Sequence, residues 1–149
     1  MKPNALPEMA ETWTLELTNE KGGGQRFPAW IDCLVRDAEL SEKTAFDLKL
    51  FFDEALGNVF EYGFADGEKH RVEVRVVRDG AEILAEVLDD GVSFDPTKQP
   101  SRERPESAEE VTVGGWGVEL IRHAGRALEY DRVQGRNRLR FRLSTQSTE

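Results

Sequence analysis

The spacing of apolar residues changes period several times along the chain, and each change marks an element. "TWTLELT" (12–18) alternates apolar and polar positions as a half-buried strand does, and "NEKGGG" breaks it. From Arg26 to about Leu40 the residues Phe27, Trp30, Ile31, Leu34 and Val35 recur at helical spacing, which predicts an amphipathic helix. Ser41 stands as an N-cap, with Thr44 beyond it, at the start of a longer helix expected to run to Tyr62. Two further alternating runs, "RVEVRVV" (71–77) and "EILAEVL" (82–88), flank "RDGA", whose Asp-Gly pair signals a hairpin and so an antiparallel pair.

Residues 89–115 differ in kind: Gly, Pro, Ser and mixed charge leave little to bury, and a connection of this length is usually functional or disordered. "WGVELIRHAGRALEY" (116–130) resumes a helix, and "EYDRVQGRNRLRFRLS" (129–144) reads as a closing hairpin around Gln134 to Asn137. Strand, two helices, hairpin, long loop, helix, hairpin is the order of an α+β two-layer sandwich, with helices on one face of a mostly antiparallel mixed sheet. Residues 1–10 carry Pro3 and Pro7 without periodicity and read as a flexible arm; residues 11–149 form one domain with no internal repeat or linker.

Composition narrows the function classes. A chain of 149 residues, 38% hydrophobic and 33% charged, can enclose a core, and no apolar run approaches the roughly 20 residues that span a bilayer. The start "MKPNALPEMAETW" lacks a signal-peptide core and Cys33 has no second cysteine to pair with, so a reducing cytoplasm is the expected setting. A net charge of −9, with the basic residues scattered, argues against nucleic acid and for protein or small-molecule partners.

Three short stretches carry candidate chemistry. In "DEALGNVFEYGF" (53–64), Glu54 and Asn58 lie one helical turn apart on one face. A carboxylate there can accept a proton, and an amide oxygen is a hard neutral ligand suited to Mg²⁺ among phosphates; the alternative is a polar helix face. Gly57 between them costs about 1 kcal/mol relative to Ala in a helix interior, so something should need the space. "DDGVSFDP" follows an apolar strand, so Asp89 can leave the sheet with its carboxylate in a pocket while Gly91 lets the backbone turn close to a ligand. Such a carboxylate suits an exocyclic amine like that of adenine; the alternatives are an ordinary hairpin-exit turn or a calcium loop, whose register it does not match. In "VGGWGVELIR", Gly114, Gly115 and Gly117 precede a helix whose free N–H groups would favour phosphate, although no Lys-Ser/Thr follows as in a P-loop and no strand precedes as in a Rossmann unit.

In this order, the three stretches resemble the boxes of the Bergerat-fold (GHKL) ATP-binding superfamily of gyrase, heat-shock chaperones, mismatch-repair ATPases and histidine kinases. The likeness is greatest to its small stand-alone branch, the anti-sigma-factor serine/threonine-protein kinases. Glu54 to Asn58 matches the Glu-x-x-x-Asn box; Asp89, Gly91, Phe94 and Asp95 match the Asp-x-Gly box; Gly114, Gly115 and Gly117 match the Gly-Gly-x-Gly box. The resemblance implies Glu54 as general base and Asn58 as Mg²⁺ ligand. It implies Asp89 at the adenine amine, Gly91 beneath the base, and Gly115 and Gly117 at the phosphates. Residues 96–113 would be a lid from which Arg102 or Arg104 reaches the phosphates, with Phe94, Gly114 and Val118 completing the nucleotide-binding set. ATP and Mg²⁺ are the implied cofactors, and a sigma factor and an anti-sigma-antagonist protein the implied partners. A homodimer through "WTLEL" and the first helix is a further expectation.

The sequence departs from the family pattern at Tyr62, Ser93 and Val118, where His, Gly and Leu are common, and its lid is acidic around Glu106 to Glu110. A second reading is a nucleotide-gated binding module without phosphotransfer. A detached histidine-kinase catalytic domain is disfavoured: no helical phosphoacceptor segment is present, and His70 and His123 are expected at the surface.

Overall fold

A computed structural model describes residues 10–64, 67–93, 95 and 127–145. Along the chain these form β1 (Glu11–Thr18), α1 (Phe27–Asp37), α2 (Glu42–Asn58), a π-helical turn (Val59–Gly63), β2 (Arg71–Asp79), β3 (Glu82–Asp89), β4 (Ala127–Val133) and β5 (Arg136–Ser144). The strands make one sheet in the order β1-β2-β3-β5-β4, and every described pairing is antiparallel. The two-layer α+β expectation holds.

Alternation explains the register. Leu15 and Leu17, Val72, Val74 and Val76, Ile83, Ala85 and Val87, and Leu139, Phe141 and Leu143 form one buried face. A slip of one residue in any strand would send that set to the other side, so burial fixes the pairing. Two tight turns help. In the β2–β3 hairpin Asp79 pairs with Glu82, leaving Gly80 (φ 63°) as the first of two central residues. In the β4–β5 hairpin Gln134 (φ 54°) and Gly135 (φ 77°) are both left-handed, which matches the twist of the flanking strands. The expected turn over 134–137 therefore closes in two residues, and Asn137 lies inside β5.

Both helices cover the apolar face. α1 buries Phe27, Ile31 and Leu34 and packs on β1; α2 buries Leu48, Phe51, Phe52 and Ala55 and packs on β3 and β5. Phe51 stacks on Phe141 with centroids 5.1 Å apart and an interplanar angle of 23°, while Phe52 meets Phe27 edge-on at 5.5 Å. Fully burying side chains of this kind contributes about 1.5–3 kcal/mol each, so Phe51 on Phe141 ties helix to sheet and Phe52 on Phe27 ties the two helices together. Ser41 caps α2 as its type predicts, its Oγ accepting the Thr44 N–H at 3.2 Å. Gly23 is needed where the chain leaves β1, because a Cβ there would overlap the Thr18 carbonyl oxygen.

Three boundaries differ from expectation. α1 stops at Asp37, not Leu40, because Glu39 turns left-handed (φ 52°) and the N–H groups of Glu39 and Leu40 bond back to the carbonyls of Arg36 and Val35, both at 3.1 Å. This is a Schellman end with glutamate in the position that glycine usually takes. α2 keeps α-helical pitch only to Asn58, after which the chain widens into the π turn. The helix expected over 116–130 does not reach its end: Ala127–Tyr130 belong to β4, where Leu128 pairs with Phe141, Tyr130 with Leu139 and Glu129 with Arg140. Helical period gives way there because β5 offers matching partners on both faces; the rest of that segment lies outside the described residues.

Leu15 and Leu17 of "WTLEL" are spent on the core at 5% and 1% exposure, while β1 itself is an edge strand of the sheet. The sheet's second face carries charge. Glu86 on β3 is 4% exposed and held by Arg75 Nη1 (3.2 Å) and Arg140 Nε (2.8 Å), one guanidinium to each oxygen. Arg75 and Arg136 also reach Glu73, at 2.7 and 3.3 Å, and Arg138 reaches Asp131 at 2.8 and 2.5 Å. Partial burial pushes the Glu73 carboxyl up, but the hydrogen bonds and charges of Arg75 and Arg136 outweigh it and leave the pKa below its ordinary value. No helix among the described residues is long and apolar enough to cross a membrane.

Glutamate at the left-handed end of α1 carries a cost that glycine avoids. Glu39→Gly is expected to raise the unfolding free energy by about 0.5–1 kcal/mol, read from the urea midpoint at unchanged m value.

Candidate functional site

Glu54 and Asn58 are not a solvated helix face. They are 3% and 8% exposed, whereas Asp53 and Gly57, on the other side of the same turns, are open to solvent. A carboxylate and an amide are thus buried on a helix whose other inward residues include Phe51, Phe52 and Ala55, an environment that polar groups tolerate only when they are partnered. A Cβ on Gly57 would meet nothing within 4 Å among the described residues, so contact with them does not explain the glycine.

Asp89 closes β3 on the same face of the sheet, 4% exposed and directly opposite Asn137 of β5. Its Oδ1 accepts the Gly91 N–H at 2.9 Å and the Asn137 Nδ2 at 2.9 Å, whereas no described residue donates to Oδ2. Burial pushes the carboxyl above its ordinary pKa and the nearby charge of Asp90 adds to this, while the hydrogen bonds from Asn137 and Gly91 and the charge of Arg132 oppose it. Glu86, three residues earlier on the opposite face, makes the contrast: both of its oxygens are answered by arginine. Asp89 keeps one buried acceptor for something outside the described chain.

Asn137 holds that carboxylate and is itself held by Tyr130 and Arg132, and the sequence reading missed all three. Asn137 Nδ2 also donates to the Val92 carbonyl at 2.7 Å, and its Oδ1 accepts from the Tyr130 hydroxyl and from Arg132 Nη1 at 3.0 Å. Every direction of the amide is thus taken, which fixes which end faces Asp89. Arg132 further reaches the carbonyls of Gly91 (3.1 Å) and Gly135 (3.0 Å), tying the β3 exit to the β4–β5 turn. A signal was available: in "RNRLRFRL" the inward series Leu143, Phe141, Leu139 continues to Asn137, a polar residue on an apolar face.

α2 packs on β3 and β5, so the helix of Glu54 and Asn58 lies on the strands of Asp89 and Asn137. His70 is a correction: expected at the surface, it is 9% exposed, because Phe64 covers its ring and Asp90 holds its Nδ1. Asp95 is half-buried. Phe94, Arg102, Arg104, Gly114, Gly115, Gly117, Val118 and His123 lie outside the described residues. Among the described residues no group of three or more His, Cys, Asp or Glu converges on one point. An ion here would instead need a neutral oxygen such as that of Asn58 together with ligand oxygens.

A five-stranded antiparallel sheet under two helices, with a buried acid–amide pair on one helix and a buried aspartate at a central strand end, is the described framework, and the family match makes it an ATPase type of domain. The chain belongs to the histidine kinase-like ATPase domain family, whose pattern matches residues 25–143. It is 29% identical over 130 residues to the serine/threonine-protein kinase BtrW of Bordetella bronchiseptica, across 87% of this chain and 92% of that protein. It is also similar to the histidine kinase domain of the blue-light activated histidine kinase EL346 of Erythrobacter litoralis, with a TM-score of 0.50 and 20% identity. That match covers 68% of this chain but 45% of the kinase chain, and it speaks to fold alone.

The raised pKa of Asp89 gives a signed expectation. Because folding disfavours its ionised form, the fold is penalised above the folded-state pKa and relieved as pH falls through that value toward the unfolded one. Asp89→Asn is therefore expected to unfold at a higher temperature than the natural protein at neutral pH. The gap should narrow in acid, as followed by circular dichroism melts across the pH range.

Proposed function

We propose that the protein is an ATP-binding anti-sigma regulatory factor with serine/threonine-protein kinase activity. It would transfer the γ-phosphate of ATP to a serine or threonine of an anti-sigma-antagonist protein, and sequester a sigma factor. The observation that carries the reading is the burial of Glu54 one turn before Asn58, on a helix packed against the strand that ends in the half-satisfied Asp89. Family membership and the likeness to a protein named as a serine/threonine-protein kinase support it. Residues 11–149 act in this reading as one nucleotide-binding domain, with 96–113 as its lid.

Oδ2 of Asp89, to which no described residue donates, fits an exocyclic amine, which supplies two N–H donors and no charge to a buried acceptor. Gly91, buried and bonded back to Asp89, keeps the turn flat enough for a base to approach. The amide oxygen of Asn58 would hold Mg²⁺ together with phosphate oxygens and water. When bound, Mg·ATP supplies the transferable phosphoryl group and the charge neutralisation that the transfer requires. Glu54, buried on α2, would take the proton of the acceptor hydroxyl as that oxygen bonds to the γ-phosphorus and the bond from the γ-phosphorus to the departing ADP breaks. Arg102 or Arg104 from the lid, and Gly114, Gly115 and Gly117 at the following helix, are assigned to the phosphates, with Phe94 and Val118 lining the nucleotide site. These seven assignments rest on resemblance.

Two measurements test the reading. Isothermal calorimetry should detect ATP binding that depends on Mg²⁺ and is lost in Asn58→Ala; absence of any ATP binding by the natural protein rejects it. With radiolabelled ATP and a serine-bearing antagonist protein, Glu54→Gln should transfer phosphate about 10²- to 10⁴-fold more slowly while binding ATP normally. Nucleotide-dependent partner binding without transfer by the natural protein would instead identify a nucleotide-gated binding module.

A further inference from the structure

We propose that His70 is a positioning residue that joins the Asp89–Gly91 turn to the helix of Glu54 and Asn58, and so sets the direction of the acceptor that selects adenine. The inference rests on the reading of Asp89 given above.

The backbone of His70 is immobilised first. Its N–H donates to Asn19 Oδ1 at 2.8 Å, its carbonyl accepts the Asn19 N–H at 3.3 Å, and Asn19 Nδ2 holds the Glu68 carbonyl at 2.8 Å. The segment entering β2 is thereby pinned to the end of β1. The imidazole lies flat on Phe64, with centroids 4.5 Å apart and 9° between the planes. Phe64 follows the π turn and meets Phe60, inside that turn, edge-on at 6.0 Å. Since the π turn begins at the residue after Asn58, the ring rests on a short aromatic column that continues the helix of the acid–amide pair. The other contact of the ring leads to the second box: Nδ1 is 2.8 Å from Asp90 Oδ1. With a carboxylate as acceptor, Nδ1 carries the proton.

Asp90 sits between Asp89 and Gly91, and its side chain is 47% exposed, so its own burial does not hold it still. The His70 contact does. Lys69, the neighbouring cation, is engaged with Glu20 at 3.3 Å. Release of Asp90 would leave the turn held from one side alone, by Asn137 and Arg132, letting Oδ2 shift its aim and the negative charge of Asp90 move relative to Asp89. A hydrogen-bond acceptor that reads a base edge tolerates little such displacement.

The test compares ATP and GTP binding, by calorimetry with Mg²⁺, in four variants whose folding is checked by thermal melts. His70→Phe keeps the stack on Phe64 and removes the donor. His70→Asn places an amide N–H where Nδ1 stood. Asp90→Ala removes the acceptor on an exposed side chain, and the double variant His70→Phe with Asp90→Ala closes the cycle. His70→Phe and Asp90→Ala are each expected to weaken ATP binding about 3- to 10-fold and to shrink the preference for ATP over GTP. His70→Asn should recover part of both losses, and the double variant should lose no more than either single one, as for two groups acting through one contact. Natural affinity and selectivity in His70→Phe, or losses that add in the double variant, overturn the inference while leaving the nucleotide site intact. A natural protein without ATP affinity overturns both.

Discussion

The structure depends on one cross-strand pair, Asp89 opposite Asn137. It stands where two central strands run out of apolar residues on their covered face, and it turns that end of the sheet from apolar core to a buried polar pair. A lone carboxylate at this depth would be untenable; an amide that satisfies one oxygen and leaves the other makes it tolerable without making it content. The register that pairs them is set far away, by Val87 against Leu139 and Ala85 against Phe141, so the hydrophobic alternation of β3 and β5 is also what aims the polar groups. Packing and recognition share a single constraint.

The same economy governs α2. Its inward residues form a continuous band in which Leu48, Phe51, Phe52 and Ala55 grip the sheet, and Glu54 and Asn58 occupy the edge of that band. The aromatic seam with Phe27 and Phe141 gives the helix little freedom to rotate, so the acid and the amide are held by a rigid element rather than a loop. The π turn after Asn58 then releases the chain from that geometry, and wide turns of this kind often accompany functional positions.

What was legible in the sequence follows from the range of the forces involved. Strand alternation, the amphipathic first helix, the Ser41 cap and the two-residue hairpins are local, and each left a local mark. The ordered boxes gave Glu54, Asn58, Asp89 and Gly91, and the structure describes all four. Asn137 escaped because its partner is 48 residues away and nothing in "GRNRLR" announces it except a break in an inward series. His70 escaped for the same reason, its burial depending on Phe64 and Asp90 and not on its own neighbours in "EKHRVE". Ala127–Tyr130 were read as helix because "ALEY" satisfies either period, and only the opposing β5 decides between them. Glu39 ended α1 against propensity, since backbone bonds to Val35 and Arg36 outweighed the cost of a left-handed glutamate.

The charged face of the sheet has a bearing on how the chain survives folding. Glu73, Arg75, Glu86, Arg138 and Arg140 lie side by side across three strands, donor against acceptor, on a surface that none of the described helices covers. An uncovered sheet with apolar residues on that side would stack against its own copies whenever the concentration rose during synthesis. Opposite charges already paired within one molecule interrupt the half-buried Val77, Leu84 and Leu88 that share this face, and so break up the apolar area that another sheet could land on. The ladder thus works as insulation, keeping a half-open sandwich colloidally separate while its other face remains committed to core and site.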